Sequence, residues 1–144
     1  MLSRACEYGI KAAVYLAQRS KEGQMSNVRD IAEAIGSPVA FTAKVLQQLA
    51  RKGLISSMKG AKGGFFIEAQ TLRHLNLCTI VNAIDGNGIT ENCMLGLREC
   101  SEKNPCPVHH QYKHIKAGII KMLNESMVNN LTIDVEKKLS VLKN

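Results

Sequence analysis

Apolar residues recur at helical spacing through most of the chain, and this pattern predicts a mainly α protein. The first helical stretch covers residues 3–19, the second follows Asn27 as its N-cap, and the third follows Ser37 as its N-cap. Pro38 fits the first position of the third helix, because an N–H there would have no partner. The two short helices meet at Gly36, and such a pair is typical of a helix-turn-helix, whose second helix lies in the major groove of DNA.

A β-hairpin is predicted directly after this helix pair. Residues 54–59 and 65–67 are rich in apolar and small side chains, and the glycine-rich stretch 60–64 between them is a turn signal. Glycines at such a tip allow the backbone to approach a phosphate closely. The pattern therefore predicts a winged helix-turn-helix with a small β-hairpin wing. Its predicted DNA-binding residues are Ser37, Ala40, Phe41, Lys44, Gln47, Arg51, Lys59 and Lys62.

A long helix with a narrow apolar seam is predicted over residues 108–127. Its apolar positions are spaced by four and three residues, at Val108, Tyr112, Ile115, Ile119 and Met122. A seam without an obvious partner in the same chain predicts a two-fold homodimer. The alternative is that this helix packs on the first helix of its own chain, and both arrangements are compatible.

The remaining segments complete the predicted organisation. A short helix is expected over residues 76–85, and a last one over about 134–142 with Val135, Leu139 and Leu142. Residues 87–104 show no sustained period and predict an irregular loop. The chain is thus expected to divide into a DNA-binding domain, a cysteine-bearing loop and a dimerisation and C-terminal helical part, over residues 1–86, 87–107 and 108–144.

Charge is unevenly distributed along the chain, whose formal net charge is +7. Residues 1–70 hold ten basic and five acidic side chains, whereas residues 71–144 hold nine and seven. Between Glu33 and Glu68 there are five basic residues and no acid, which suits a polyanion such as DNA, although a solvated basic face would look the same. No apolar run approaches the roughly 18 residues of a membrane span, so a cytoplasmic protein without a membrane partner is expected.

Three of the five cysteines lie close together in the predicted loop. Cys93, Cys100 and Cys106 are separated by six and five residues, and His109 follows three positions later. Thiolates with one imidazole suit an iron–sulfur cluster, zinc or copper(I). Structural zinc sites usually contain a closer cysteine pair, and longer gaps allow a loop to wrap a larger cofactor, so a cluster is favoured. Free thiols or a reversible disulfide switch are the alternatives.

Taken together, these motifs resemble the Rrf-type family of winged-helix regulators, which includes IscR, NsrR and CymR. The resemblance covers nearly the whole chain, and its matching pieces are residues 8–12, 27–50, 51–55, 59–65 and 105–109. It implies a homodimeric transcription regulator whose DNA binding depends on a [2Fe-2S] or [4Fe-4S] cluster. The chain departs from the IscR pattern in the first cysteine gap, which is one residue longer, and at Ala43, which replaces an acidic residue.

The resemblance also implies a ligand set. Cys93, Cys100 and Cys106 match the three family ligands, and His109 stands where IscR-like members place the fourth. Glu7 stands where other members use a carboxylate that reaches over from the partner subunit. We favour His109, because the backbone that places Cys106 also places its imidazole, and because a hard carboxylate matches a thiolate-ligated iron less well.

The expected function is therefore that of a DNA-binding repressor that senses iron–sulfur cluster, redox or nitric-oxide status. A cluster-free, thiol-based or partner-dependent regulator is the alternative within the same class. A small redox protein or a zinc-binding module is the alternative from another class. An enzyme is not expected, since the chain shows no glycine-rich nucleotide loop, no paired carboxylates and no nucleophile with a base at motif spacing.

Overall fold

The computed structural model describes residues 1–138 and 141–143. Its first part consists of three helices and a two-stranded hairpin: α1 (Arg4–Lys21), α2 (Val28–Ile35), α3 (Val39–Arg51), β1 (Ser56–Met58) and β2 (Gly64–Phe66). Its second part is helical: α4 (Ala69–Leu72), α5 (Leu77–Asp85), α6 (Gly88–Glu91), α7 (His109–Glu125) and α8 (Val128–Glu136). The mainly α fold class with a small hairpin wing is confirmed.

Helix α1 lies at the centre of the core. One of its faces is fully buried and contacts α2, α3, α5 and α8. The apolar side chains that meet there include Val14, Leu16, Ile31, Leu46, Leu49, Ile80 and Val128. Each large apolar side chain contributes roughly 1.5–3 kcal/mol when it is fully buried. The core therefore holds α2 and α3 against a single central helix.

The helix-turn-helix has the predicted elements but one different cap. Asn27 caps α2, because its side-chain oxygen accepts the N–H of Asp30 at 2.9 Å. The prediction that Ser37 caps α3 is wrong, since α3 begins at Val39 and its N-cap is Pro38, which makes no side-chain cap bond. The Ser37 hydroxyl instead pairs with the buried hydroxyl of Thr42, so this side chain is directed into the turn.

The wing is joined to the helix-turn-helix by backbone hydrogen bonds. Strands β1 and β2 pair in antiparallel register, with Ser56 opposite Phe66 and Met58 opposite Gly64. On the other side of β2, the N–H of Phe65 donates to the carbonyl oxygen of Ser26 at 2.8 Å, and the N–H of Ser26 returns a bond of 3.0 Å. The wing therefore moves with the segment that leads into α2.

The C-terminal helices differ from their predicted bounds. Helix α7 ends at Glu125, and the chain then turns, so that the N–H of Val128 donates to the carbonyl oxygen of Leu75 at 2.9 Å. Helix α8 begins at Val128, earlier than predicted, because Val128 and Thr132 are buried in contact with the α1 side of the core. Leu139, which was expected in the last helix, lies outside the described residues.

The apolar residues of the α7 seam face two different sides of the helix. Ile119 packs with Leu123 against a cluster that contains Cys6, Cys78 and Val81 of the same chain. On the neighbouring side of α7, Ile115 is 60% exposed and Met122 is 54% exposed. Helix α7 thus packs on its own chain, mainly against α5 and α6 and not chiefly on α1 as the alternative expected, and a second apolar strip stays free. Within the described residues, no helix is both long and apolar enough to cross a membrane.

Candidate DNA interface and cysteine loop

The outer face of α3 presents most of the predicted DNA-binding side chains. Ala40, Lys44, Gln47 and Arg51 are exposed along this helix. Phe41 is half-buried, and its ring meets that of Tyr8 edge-on at 5.7 Å between centroids, so much of its surface faces α1. Lys59 and Lys62 are exposed at the tip of the wing. The six exposed positions are divided between α3 and the wing, which agrees with the predicted arrangement of a helix in the major groove and a wing on the DNA backbone.

The neighbour of Gln47 has a different role. The side-chain amide of Gln48 points inward and donates to the carbonyl oxygens of Ala83 and Ile84, at 3.1 and 3.3 Å. These two carbonyls lie at the C-terminal end of α5, where a helix has carbonyl oxygens without intrahelical partners. Gln48 therefore ties the DNA-reading helix to the end of the element that precedes the cysteine loop.

The wing tip depends on a glycine that faces the opposite strand. A Cβ added at Gly63 would overlap the carbonyl oxygen of Met58, which is backbone and cannot rotate away. Gly63→Ala is therefore expected to open the hairpin and to raise the dissociation constant for operator DNA by about tenfold, or about 1.4 kcal/mol. Fluorescence anisotropy with labelled duplex measures this, and Gln70→Ala, at an exposed position outside the wing, is the control. Equal affinities for the wild type and Gly63→Ala would show that the wing makes no contact that matters.

Of the three predicted cysteine ligands, Cys100 contacts the ring of His109, and Cys93 lies beside Cys106. Cys93 and Cys106 are buried, whereas Cys100 is partly exposed. The backbone N–H groups of Leu95 and Leu97, the Cys106 thiol and the charge of Lys116 lower the pKa of the Cys93 thiol. A lowered pKa favours the thiolate, which is the form that binds metals. Cys93 thus lies beside the Cys106 thiol and near the positive charge of Lys116.

His109 is the most buried polar residue of this region, with 2% of its side chain exposed. Its Nδ1 lies 3.4 Å from the Cys100 sulfur, and its backbone N–H donates to the carbonyl oxygen of Cys106 at 2.9 Å. Its other ring nitrogen, Nε2, lies 3.5 Å from a carboxylate oxygen of Glu102 and has no hydrogen-bond partner among the described residues. The first turn of α7 therefore places the imidazole against the loop cysteines.

The donor set fits a thiolate-ligated cluster. The three thiols and the imidazole lie as two pairs, Cys93 beside Cys106 and Cys100 with His109, and within the described residues no three of these four donor atoms lie within 4.8 Å of one another. A polynuclear cluster takes its ligands on different metal atoms, so the four donors do not have to meet at one point. A second set of possible ligands also exists here, since the donor atoms of Glu102, His109 and His110 all lie within 4.8 Å of one another.

The other candidates lie elsewhere in the chain. Glu7 is partly exposed on α1, where its carboxylate pairs with Arg4 at 3.3 Å. Cys6 and Cys78 are buried in a core cluster. Burial, together with the nearby carboxylate of Asp85, raises the pKa of the Cys6 thiol to about 12, so it stays protonated at neutral pH. These two cysteines act as small apolar core residues.

Four contributing residues were missed from the sequence: Gln48, Glu102, Lys113 and Lys116. Glu102 and Lys113 contact each other across the end of the loop, and the buried Lys116 donates to the carbonyl oxygen of Asn92 at 3.3 Å. The members of these two pairs are eleven and twenty-four positions apart, and no helical or strand period in the sequence relates residues at such separations. Only the crowding of charged residues next to the cysteines could have pointed to them.

Comparison with known proteins places the chain in a family. Residues 2–134 match the Rrf2 family, described as an iron-dependent transcriptional regulator. The chain belongs to the Rrf2 family. Its members are transcription regulators that bind DNA and are not enzymes. An Aquifex aeolicus protein named as an HTH-type transcriptional regulator is 30% identical over 140 residues, which cover 96% of this chain and 94% of that protein.

More distant Rrf2 relatives and solved structures agree with this fold. IscR of Pectobacterium atrosepticum is 24% identical over 127 residues, which cover 88% of this chain and 73% of that protein. The structure of T. potens IscR has a TM-score of 0.76 at 20% identity and covers 98% of this chain and 92% of that one. The structure of CymR, titled the global cysteine regulator of B. subtilis, has a TM-score of 0.74 at 17% identity, with 92% and 95% covered. The winged-helix architecture is therefore shared with both.

Proposed function

We propose that this Rrf2-family regulator is a transcription repressor whose DNA binding depends on an iron–sulfur cluster held by Cys93, Cys100, Cys106 and His109. The observation that carries the proposal is the buried His109 ring, whose Nδ1 faces the Cys100 thiol at 3.4 Å. A bound cluster would supply a group that responds to oxidants, nitric oxide and iron–sulfur supply.

The residues of the chain have separate tasks in this proposal. The exposed basic side chains of α3 and the wing bind phosphates, and Gln47 reaches base edges in the major groove. Buried Cys93, Cys106 and His109 hold the cofactor away from bulk water. Residues 86–92 connect α5 to Cys93, so a change in the loop acts directly on the end of α5. The bonds from Gln48 to that end offer a physical route from the loop to α3.

Lys44 and Lys59 are predicted to contact phosphates from α3 and from the wing. Replacing either by Ala should weaken binding to operator and random duplex alike, and should reduce the slope of log K against log salt by about one unit. Salt titrations by fluorescence anisotropy measure the slope. Lys137, which is exposed at the end of α8, supplies the control variant Lys137→Ala. An unreduced slope for both Lys44→Ala and Lys59→Ala would contradict the phosphate assignment.

Gln48→Ala is predicted to uncouple the loop from the DNA-reading helix. Couplings between sites are typically 5- to 150-fold in affinity, and residues along a route change them by about 0.5–2 kcal/mol. The ratio of operator affinities with and without cluster should therefore move toward one, while cluster content stays unchanged. The exposed residue Gln70 supplies the control, Gln70→Ala. A wild-type ratio in Gln48→Ala would mean that the signal travels by another route.

We also propose that two copies of the chain pair through the free strip of α7. Ile115 and Met122 are seven positions apart and therefore lie on one face of this helix, and both are exposed. Large exposed apolar side chains at this spacing favour a helix-to-helix interface. A two-fold dimer also suits a reader of two DNA half-sites.

One experiment tests the proposed cofactor. Anaerobic purification should yield coloured protein with iron and acid-labile sulfide, and with charge-transfer bands in the visible spectrum. Cys106→Ala should lose both, whereas Cys78→Ala, in the core, should keep them. Zinc without sulfide would instead indicate a structural metal site. Protein with neither metal nor sulfide, also after anaerobic reconstitution, would refute the cluster.

A cluster-free thiol switch is the second candidate, and one contact favours it. The Cys93 thiol lies beside that of Cys106, which contributes to lowering the pKa of Cys93. A thiolate next to a second thiol can be oxidised to a disulfide, with two electrons passing to the oxidant. Non-reducing mass spectrometry of the metal-free protein would then find a Cys93–Cys106 disulfide that changes operator affinity.

A further inference from the structure

The ring of His109 lies between two chemically different neighbours. Its Nδ1 faces the Cys100 sulfur at 3.4 Å, and its Nε2 faces a carboxylate oxygen of Glu102 at 3.5 Å. The ring is almost completely buried, so water cannot serve as a partner for either nitrogen. Each nitrogen can therefore interact only with the group beside it.

These neighbours select one form of the imidazole. A neutral imidazole carries a proton on one nitrogen and a lone pair on the other, and an ionised carboxylate can only accept. Placing the proton on Nε2 gives Glu102 a donor and leaves the lone pair of Nδ1 directed toward Cys100. The opposite form would bring two acceptors together at Glu102. Histidines that bind metals commonly donate their second N–H to a carboxylate in this way.

Lys113 holds Glu102 in place. Glu102 is more than half exposed, and its carboxylate forms a short hydrogen-bonded ion pair with the ammonium group of Lys113. The hydrogen bond and the charge of Lys113, with a smaller contribution from the nearby His109 ring, lower the pKa of Glu102. An exposed pair of this kind adds little to stability, so orientation is the larger consequence. Lys113 and His109 are four positions apart on α7, and the carboxylate thus bridges one turn of the helix.

We propose that Glu102, held by Lys113, is a positioning residue that keeps His109 in the Nε2–H form with its Nδ1 lone pair directed at the cysteine loop. The consequence for ligation rests on the proposed function, whereas the form of the ring does not. The alternative is that Glu102, His109 and His110 together bind a divalent cation. The ammonium of Lys113 already occupies the carboxylate oxygen that faces His109, which argues against that use.

Nitrogen-15 NMR of the full chain, metal-free and with a chelator present, tests the form of the ring directly. The long-range proton–nitrogen pattern of wild-type His109, assigned by its loss in His109→Gln, should be that of Nε2–H. Glu102→Gln replaces the carboxylate by an amide that can donate or accept, so the pattern should become mixed. Glu99→Gln in the same loop is the control and should leave the pattern unchanged. A wild-type Nδ1–H pattern, or an unaltered pattern in Glu102→Gln, would overturn the proposal.

Anaerobic reconstitution gives the second readout. Outer-shell changes typically cost 10- to 100-fold in metal affinity, so Glu102→Gln should lose its cluster faster to a chelator and should alter the histidine nitrogen coupling in pulsed EPR. Lys113→Met should show the same effects to a smaller degree. If the wild type forms no cluster, the proposed function fails while the NMR result still decides the ring form. If zinc alone shifts the His109 and His110 signals and removes the Nε2 proton, a cation site replaces this proposal.

Discussion

Leu46→Ala is expected to lower the free energy of unfolding by roughly 2–5 kcal/mol. Leu46 is fully buried on the inner face of α3, where it packs in the core formed around α1. Removing its branched end costs transfer free energy and leaves a cavity, because closely packed neighbours relax only in part. Since a domain of this size is stable by only about 5–15 kcal/mol, the variant should unfold at clearly lower urea concentration.

The adjacent residue provides the matched control for this change. Gln47 is exposed on the outer face of α3, so Gln47→Ala should change stability by less than about 0.5 kcal/mol. It should instead alter operator preference by about 1–3 kcal/mol at one base pair. Circular dichroism during urea unfolding measures the first effect and competition binding the second. Similar unfolding midpoints for Leu46→Ala and Gln47→Ala would contradict the assignment of the two faces.

Ile115→Asp is expected to convert the dimer into a folded monomer. In an isolated chain Ile115 is exposed, so an aspartate at this position meets water and costs little stability. In the proposed dimer the same carboxylate would be buried without a partner, at a cost of several kcal/mol. The dimer dissociation constant should rise by roughly a hundredfold or more.

Light scattering coupled to size exclusion measures the assembly, and circular dichroism reports the fold. Ala117→Asp introduces the same charge on α7, at an exposed position on the opposite side of the helix from Ile115, and should leave the dimer intact. A dimeric Ile115→Asp variant would place the interface elsewhere. Ile119 is less suited to this test, because it packs on Leu123 of its own chain and a charge there would damage the fold itself.

Most of the fold could be predicted because its signals are local. The Asn27 cap, the left-handed Gly36 at the end of α2 and the glycine-rich wing tip all act over a few residues. The prediction was less accurate where a side chain has more than one possible hydrogen-bond partner nearby. Ser37 has the chemistry of an N-cap, yet its hydroxyl pairs with Thr42, which α3 holds in the buried turn.

The residue types of the candidate ligands could be predicted from the sequence, but the charged residues that surround them could not. Cysteine and histidine stand out in a sequence because few other side chains bind soft metals, so Cys93, Cys100, Cys106 and His109 could be selected directly. Whether those four residues hold a cluster stays a prediction. The surrounding charges, Glu102 with Lys113 and the buried Lys116, depend on how the loop folds back on α7.

The sequence by itself determined the helix-turn-helix, the wing and the position of the cysteine loop, because hydrophobic period, caps and turns depend on neighbours along the chain. Only the tertiary structure decided the break between α7 and α8, where Val128 bonds to Leu75. It likewise decided the bonds of Gln48 to the end of α5 and the place of His109 between Cys100 and Glu102. These contacts join segments that share no helical or strand period in the sequence. They stabilise the protein only after the core around α1 has brought those segments together.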